Sequence, residues 1–530
     1  MDSLNQKTPW VTPEQFGAVG DGVTDDTEAF TNAIAYCKTS KTNLLLSAKK
    51  YLLTSQITVD FSFTMAGVNT ANWHYGTPSV EYASEIISDY GDGPNDFLFY
   101  INTSNRGCVN IENIYFNGSN KGSCLDLYRC GWTLNIKNVC IDNYAYHAIK
   151  FEATYDSNII NLAVERCGGI YNGTAYYAMH FGTVPNETNT NAIHFVNCHM
   201  EFCRYYCNFV NCQDVVFSNS KFELLRYTDE TLENVRRVDN DLINPLFKFE
   251  IADNVSFNES TFCLRGVHNW QLANSGLEPS DVPYPFIISA NAIVYFNDTR
   301  IFSPDSDGGT RLINVTASSA TTVFDNCYIK NLTPLAPALN GSNIIIRNSH
   351  ITYYVHSDVE SFTGVGSATD VLTLENSILV FNSYNKCTNN GASTGFKPFN
   401  GSNIIMTGNS FVNFGNIENI YYSETVKSLA LTSGTEASIN FSAPATISGR
   451  YTIYLMISIP NGGNEGRYYV QVNTTVGTIL YDGTVLPSNT TVKSYYIDTV
   501  LKRGENITVK LFQNSGYNKT ATITMRLARA

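Results

Sequence analysis

The chain has 530 residues, a formal charge of −13, 15% charged side chains, 33 Tyr and 30 Phe. That length exceeds one ordinary compact core, so several domains or a repeat are expected. Aromatic and β-branched residues are too plentiful for disorder, and helix-type runs of Ala, Glu, Lys and Leu are few, which points to an all-β chain. No basic stripe suits nucleic acid and no apolar run reaches the length of a membrane span, so neither partner is expected.

Thirteen cysteines are scattered without paired metal spacing. They read as buried, reduced thiols acting as small apolar residues. His147, His180, His194 and His199 show no HExxH-type spacing, so no metal and no cofactor is expected.

Residues 1–12 form a short tail. Then comes FGAVGDGVTDDTEAFTNAI at 16–34. Its glycines mark tight turns, and Thr24 or Asp25 can cap a helix whose apolar face is Ala29, Phe30, Ala33, Ile34 and Cys37. A lone amphipathic helix before a long β region suits a cap on an open sheet end. This motif, with YLLTSQITV after it, resembles the start of right-handed parallel β-helices of the pectate-lyase superfamily, above all bacteriophage tailspikes and capsule depolymerases. The resemblance implies that Asp21, Asp25 and Asp26 are turn and cap groups.

From Cys108 to about residue 415 a loose unit recurs: apolar, any, apolar, any, Asn, then apolar again. LNIKNVCIDN at 134–143, IHFVNCHMEF at 193–202 and VVFSNSKFEL at 215–224 are examples. Spacings of about 20–40 residues belong to solenoids, alternation within units reads as strand, and the Asn reads as a turn residue, laddered along the stack. After about residue 420 alternation becomes stricter, as in YTIYLMISI at 451–459, and a β-sandwich or jelly roll is expected. VLKRGENITVKLFQNSG at 500–516 resembles late strands of trimeric C1q and tumour-necrosis-factor jelly rolls, which implies a trimer clamp; a carbohydrate-binding sandwich is the other reading. The expected divisions are thus 1–12, a cap with first rungs at 13–107, a main β-helix at 108–420, and a sandwich at 421–530.

Aligning Asn197 with Asn219 places Glu201 on Glu223 and Arg204 on Arg226, each 22 residues apart. Asn138 and Asn161 extend the series and bring Asp142 and Glu165 into the same column, which Cys263 ends. Like charges about 4.8 Å apart repel, so a purely structural design would avoid them, and the repulsion favours one protonated member, as a general acid needs. Glu201 and Glu223 on adjacent rungs suit the spacing of a retaining glycosidase; Glu165 and Glu223, two rungs apart, suit an inverting one. The bland alternative is a solvated acidic face neutralised by Arg166, Arg204 and Arg226. Long inserts at 168–190, 227–245 and 265–287 frame the column and carry Tyr171, Tyr177, His268 and Trp270, aromatics suited to sugar faces. Arg204 and Arg226 can hold an acidic sugar's carboxylate, and Asp142 joins the substrate-binding set.

The resemblance implies a homotrimeric phage spike that binds and cleaves a bacterial capsule or O-antigen polysaccharide. Such a spike would fold in the host cytoplasm, attach to the phage tail or baseplate through its N-terminus, and act at the cell surface as part of the virion. Spikes of this kind usually carry an attachment region before the cap, so residues 1–12 either dock the spike or follow a region removed from it. Endo-glycoside hydrolysis by Glu201 and Glu223 is the expected reaction. A lyase acting by β-elimination on a uronic acid, and a receptor-binding spike without catalysis, stay open. The motif sets of polygalacturonases and the calcium-binding acids of pectate lyases are not found.

Overall fold

The computed structural model describes residues 10–70, 82–104, 107–131, 133–183, 189–223, 245–264, 284–289, 291–302, 312–332, 339–341, 343–355, 363–365, 371–383, 397–399, 403–407, 411–413, 421–431, 435–442, 449–459, 466–474, 477–482, 485–486, 491–501, 506–514 and 519–529. The chain divides into two units, residues 1–333 with 338–351, and residues 334–337 with 352–530.

In the first unit the helix Thr27–Ser40 buries Ala29, Phe30, Ala33, Ile34 and Cys37, the face expected from spacing. Its N-cap is Asp26, one or two residues later than expected. The Asp26 carboxylate instead accepts from the Val19 and Gly20 amides at 2.7 and 3.1 Å, while Asp25 Oδ1 accepts from the Thr27 amide at 3.0 Å. The acids of this motif therefore bind backbone, and Phe30 packs edge-on against Tyr51 of the first rungs at 5.2 Å.

The rest of this unit is a parallel β-helix with three faces. One rung runs Val109–Glu112, then Tyr115–Lys121, then Ser123–Tyr128. The next begins with Leu134–Tyr144, which pairs in parallel with Val109–Glu112 and with Tyr115–Lys121. The recurrent Asn is the corner between the first and second faces. Asn113, Asn138, Asn161, Asn197 and Asn219 all have φ between 48° and 57°, the left-handed region that Asn tolerates better than most residues. Their side chains ladder along the helix: Asn138 Nδ2 donates to Asn113 Oδ1 at 3.0 Å, Asn161 to Asn138 at 2.9 Å, and Asn219 to Asn197 at 2.6 Å.

Inside, alternate residues stack rung on rung. Phe195, Phe217, Phe257, Phe296 and Phe324 form one file, with successive ring centroids 4.3–5.2 Å apart. Each ring buried this way contributes roughly 2–3 kcal/mol through removal from water, a core that no single rung could build alone. The twelve described cysteines are free thiols, and all but Cys108 are buried; Cys387 lies outside the described residues. Among the described residues no helix is long and apolar enough to cross a membrane.

The second unit contains further parallel strands, among them Val371–Glu375 paired with Asn403–Thr407, and two antiparallel sheets. One sheet orders Tyr421–Leu431, Lys519–Arg529, Gly449–Ile459 and Thr491–Leu501; the other orders Glu436–Ser442, Asn506–Asn514, Gly466–Thr474 and Gly477–Asp482. Leu431, Ile453, Leu455, Val472, Ile507, Val509, Ile523 and Met525, from strands of both sheets, form one buried cluster.

Candidate functional site

The second face carries the acids. Strand pairing sets Asp142 beside Glu165, Glu165 beside Glu201, Glu201 beside Glu223 and Glu223 beside Cys263. The column stands at a corner, because the residue after each of its first three members has positive φ: Asn143 at 60°, Arg166 at 47° and Phe202 at 54°. A left-handed arginine and phenylalanine are uncommon and strained, and such residues cluster at functional sites.

The column is not uniform. Asp142 is 1% exposed and fully engaged. Arg166 grips it through two nitrogens, Nε on Oδ1 at 2.8 Å and Nη2 on Oδ2, and the Tyr115 hydroxyl donates to Oδ2 at 3.0 Å. Asp142 is thus held by protein groups, unlike the exposed ligand expected of it; the guanidinium that covers it comes from the next rung, one residue beyond the column. Glu165 is 2% exposed, far less open than the two acids that follow it in the column.

Glu201 and Glu223 are more open, with side-chain exposures of 12% and 23%. His199 stands between them, its Nε2 3.8 Å from Glu201 Oε2 and 3.4 Å from Glu223 Oε2. Lys221 Nζ sits 2.8 Å from Glu223 Oε1. Burial pushes the Glu223 carboxyl up, but the Lys221 hydrogen bond and charge, with His199, outweigh it and hold the group below its ordinary value. Burial also outweighs Glu223 at His199 and lowers the imidazole, so the ring is held neutral. The Tyr206 hydroxyl donates to the Glu223 carbonyl and fixes the strand end. His199 and Lys221 went unassigned in the sequence reading, although His199-Met-Glu201 and Lys221-Phe-Glu223 place them two residues before each acid and hence on the same face.

His199 Nε2 and one oxygen from each of Glu201 and Glu223 lie within 4.8 Å of one another, the one His/Cys/Asp/Glu group among the described residues that could hold a metal ion. The Lys221 ammonium on Glu223 already supplies positive charge there, which disfavours a cation.

Next to the column lies a cleft of about 280 Å³, lined by Arg166, Arg204, Asn143, Tyr146, Gly168 and Phe202 among others. Gly168 starts the insert at φ 83°, and a Cβ there would stand 2.6 Å from the Tyr205 carbonyl oxygen, so the turn requires glycine. The insert forms a hairpin, Gly169–Tyr171 with Thr174–Tyr176, in which Tyr171 is 39% exposed and packs edge-on against Tyr146 at 5.7 Å. Tyr177 departs from the exposed position expected: it is 4% exposed, donates to the Pro245 carbonyl at 3.0 Å and packs against Tyr205, so it props the insert. Arg226, His268 and Trp270 lie outside the described residues.

These features define a parallel β-helix with a stacked carboxylate column on an outward corner. The sequence is similar to that of depolymerase 1 of Klebsiella phage KN3-1, capsule KN3-specific, with 23% identity over 412 residues, 70% of this chain and 49% of that protein. It is also similar to the K30/K69-specific capsule depolymerase of Klebsiella phage K64-1, 48% identical over 59 residues, 11% of this chain and 7% of that protein. The chain thus spans about half the length of the KN3-1 protein. Among solved structures, the tailspike protein of E. coli bacteriophage HK620 in complex with a pentasaccharide shares 8% identity, with a TM-score of 0.40 over 98% of this chain and 94% of that one. No protein-family model matches the chain.

Proposed function

We propose that this chain is the polysaccharide-cleaving part of a phage tail spike, acting by endo-glycoside hydrolysis on a bacterial capsule or O-antigen. One observation carries the reading: Glu201 and Glu223 are paired in register, with carboxylate oxygens within 4.8 Å of each other, and Phe202, the residue after Glu201, lines a cleft. That spacing suits a retaining mechanism, in which the two carboxyl groups stand about 5–5.5 Å apart. Glu223, held ionised by Lys221 and His199, is the nucleophile that attacks the anomeric carbon. Glu201, the more buried of the two, protonates the departing glycosidic oxygen, and then takes a proton from the water that releases the glycosyl-enzyme. Arg204 and Tyr171 contact the sugar chain. Homotrimerisation through residues 421–530, attachment to the phage tail or baseplate through the N-terminus, and a place in the virion belong to the same proposal.

A second reading is favoured by His199, whose imidazole burial lowers, and by Arg204 in the lining of the cleft. There Arg204 neutralises a uronate and His199 removes the proton α to its carboxylate, in a lyase reaction. The deciding assay sets Glu201→Gln and Glu223→Gln beside wild type on a panel of purified capsules. Loss of chain shortening in both variants supports hydrolysis, and near-wild-type cleavage by both refutes the site. Products that absorb in the ultraviolet as unsaturated uronates establish the lyase. Binding without shortening establishes a receptor spike.

A further inference from the structure

The third face carries a second cluster, separate from the acidic column. On strands Phe97–Asn102, Ser123–Tyr128 and Ile149–Glu152, pairing stacks Tyr100, Asp126 and Lys150 in one file and Asn102, Tyr128 and Glu152 in the next. The Tyr100 and Tyr128 rings stack at 6.4 Å and 19°. Asn102 Nδ2 donates to the Tyr100 hydroxyl at 3.1 Å. Lys150 Nζ bonds Glu152 Oε1 at 3.0 Å but stands 3.9 Å from Asp126 Oδ2, beyond hydrogen-bond length.

Two acceptors here have no donor. Asp126 Oδ1 and Asn102 Oδ1 are buried and accept no hydrogen bond. Asp126 is 7% exposed, yet it alternates with Leu125 and Leu127, which are 0% exposed in the core, so it points to the outer side of its strand. Burial raises its carboxyl to about 7, with Lys150 opposing and Glu152 reinforcing the shift. Buried acceptors are nearly always satisfied, so this pair calls for an explanation. Gly182 follows Glu152 in register and leaves its file without a side chain at that rung.

The charge pattern narrows the ligand. The Lys150 ammonium already lies between the two acids, which disfavours a metal cation. What Asp126 Oδ1 and Asn102 Oδ1 lack is donors, and they lack them next to aromatic rings. We propose that this face is a second saccharide-binding site, taking a neutral hexose unit whose hydroxyls donate to Asp126, Asn102 and Glu152 while its carbon face rests against the edges of the stacked Tyr128 and Tyr100 rings, beside the Arg129 guanidinium that lies 4.9 Å from the Tyr128 ring centre. Lys150 turns outward to admit the hydroxyl and gives up its long contact with Asp126. The site needs no cleavage at Glu201 and Glu223.

Saturation-transfer NMR with the methyl α- and β-glycosides of glucose, galactose and mannose, on the full chain, tests this. Transfer to at least one glycoside is expected. It should persist in the Glu201→Gln/Glu223→Gln double variant and be lost in Asp126→Leu and in Tyr128→Ala. Tyr128 is half-buried on the outer side of its strand, so its variant retains the fold even where Asp126→Leu does not, and a circular-dichroism melt verifies both. No transfer to any of the six glycosides overturns the proposal. So does transfer that Tyr128→Ala and a folded Asp126→Leu leave intact, or transfer abolished by the Glu201→Gln/Glu223→Gln variant.

Discussion

His199 Nε2 stands 3.4 Å from Glu223 Oε2 and 3.8 Å from Glu201 Oε2, so one imidazole lies between the carboxylates of adjacent rungs and closer to Glu223. With Lys221 on the far oxygen of Glu223, the pair is electrically asymmetric. Two like charges in one file are costly, and this asymmetry is how one of them is kept ionised.

Lys221 then sets the acid limb of activity. Its hydrogen bond and charge, outweighing burial, lower the Glu223 carboxyl. Lys221→Met removes both, so Glu223 binds its proton at higher pH and the acid limb of the kcat/KM profile moves up. The variant should keep most of its rate on the alkaline plateau and lose it several-fold on the acid side, whereas Glu223→Gln should lose about 10²-fold or more throughout. A profile that falls uniformly, with no shift of its limb, would assign Lys221 to substrate contact.

Part of this site was legible in the sequence. The register of the column followed from Asn138, Asn161, Asn197 and Asn219, because one residue at positive φ per rung pins the strand after it. Burial was not legible. Asp142 is an outward position covered by Arg166 and Tyr115, whose reach across rungs depends on side-chain rotamers and not on spacing. Tyr177 was misplaced for a similar reason: its insert folds back, and the carbonyl it bonds lies 68 residues away. His199 and Lys221 share the outward face of Glu201 and Glu223 by period-2 alternation, but spacing alone does not show which side chains on that face meet.

The Arg166–Asp142 pair is a stability element. Asp142 is 1% exposed, so removing its guanidinium leaves an uncompensated buried charge. Arg166→Met should cost about 3–5 kcal/mol, and Tyr115→Phe, which removes one hydrogen bond to a charged group, about 1.5–3 kcal/mol. Arg166→Met/Asp142→Asn should recover much of the loss of the single variant. Urea midpoints with unchanged slope provide the comparison, and a double variant no more stable than Arg166→Met would contradict the account.

The asparagine ladder makes two separable contributions at Asn138. Its φ of 53° strains a residue with a Cβ by roughly 1–2 kcal/mol, and its amide both donates to Asn113 and accepts from Asn161. Asn138→Gly relieves the strain and loses only the ladder, while Asn138→Ala keeps the strain and loses the ladder as well. The alanine variant should therefore melt below the glycine variant, and both below wild type. An alanine variant as stable as the glycine one would mean that backbone strain at this corner is negligible.

His147 makes the fold acid-sensitive. It is 5% exposed, and burial lowers the imidazole to about 4, although its Nδ1 lies 2.6 Å from the Tyr177 carbonyl. The native state thus holds the neutral ring, while the unfolded chain takes up a proton near pH 6.5. Between those values the unfolded state binds more protons, so stability is full above about pH 6.5 and falls as pH drops toward 4, by roughly 1.4 kcal/mol per pH unit for this one group. His147 also stacks on Phe97 at 5.7 Å, so His147→Phe preserves an aromatic there without a titrating proton. Wild type should lose melting temperature steadily from pH 6.5 to 4.5, and His147→Phe should lose distinctly less over the same range. Parallel curves for the two proteins would place the acid sensitivity elsewhere.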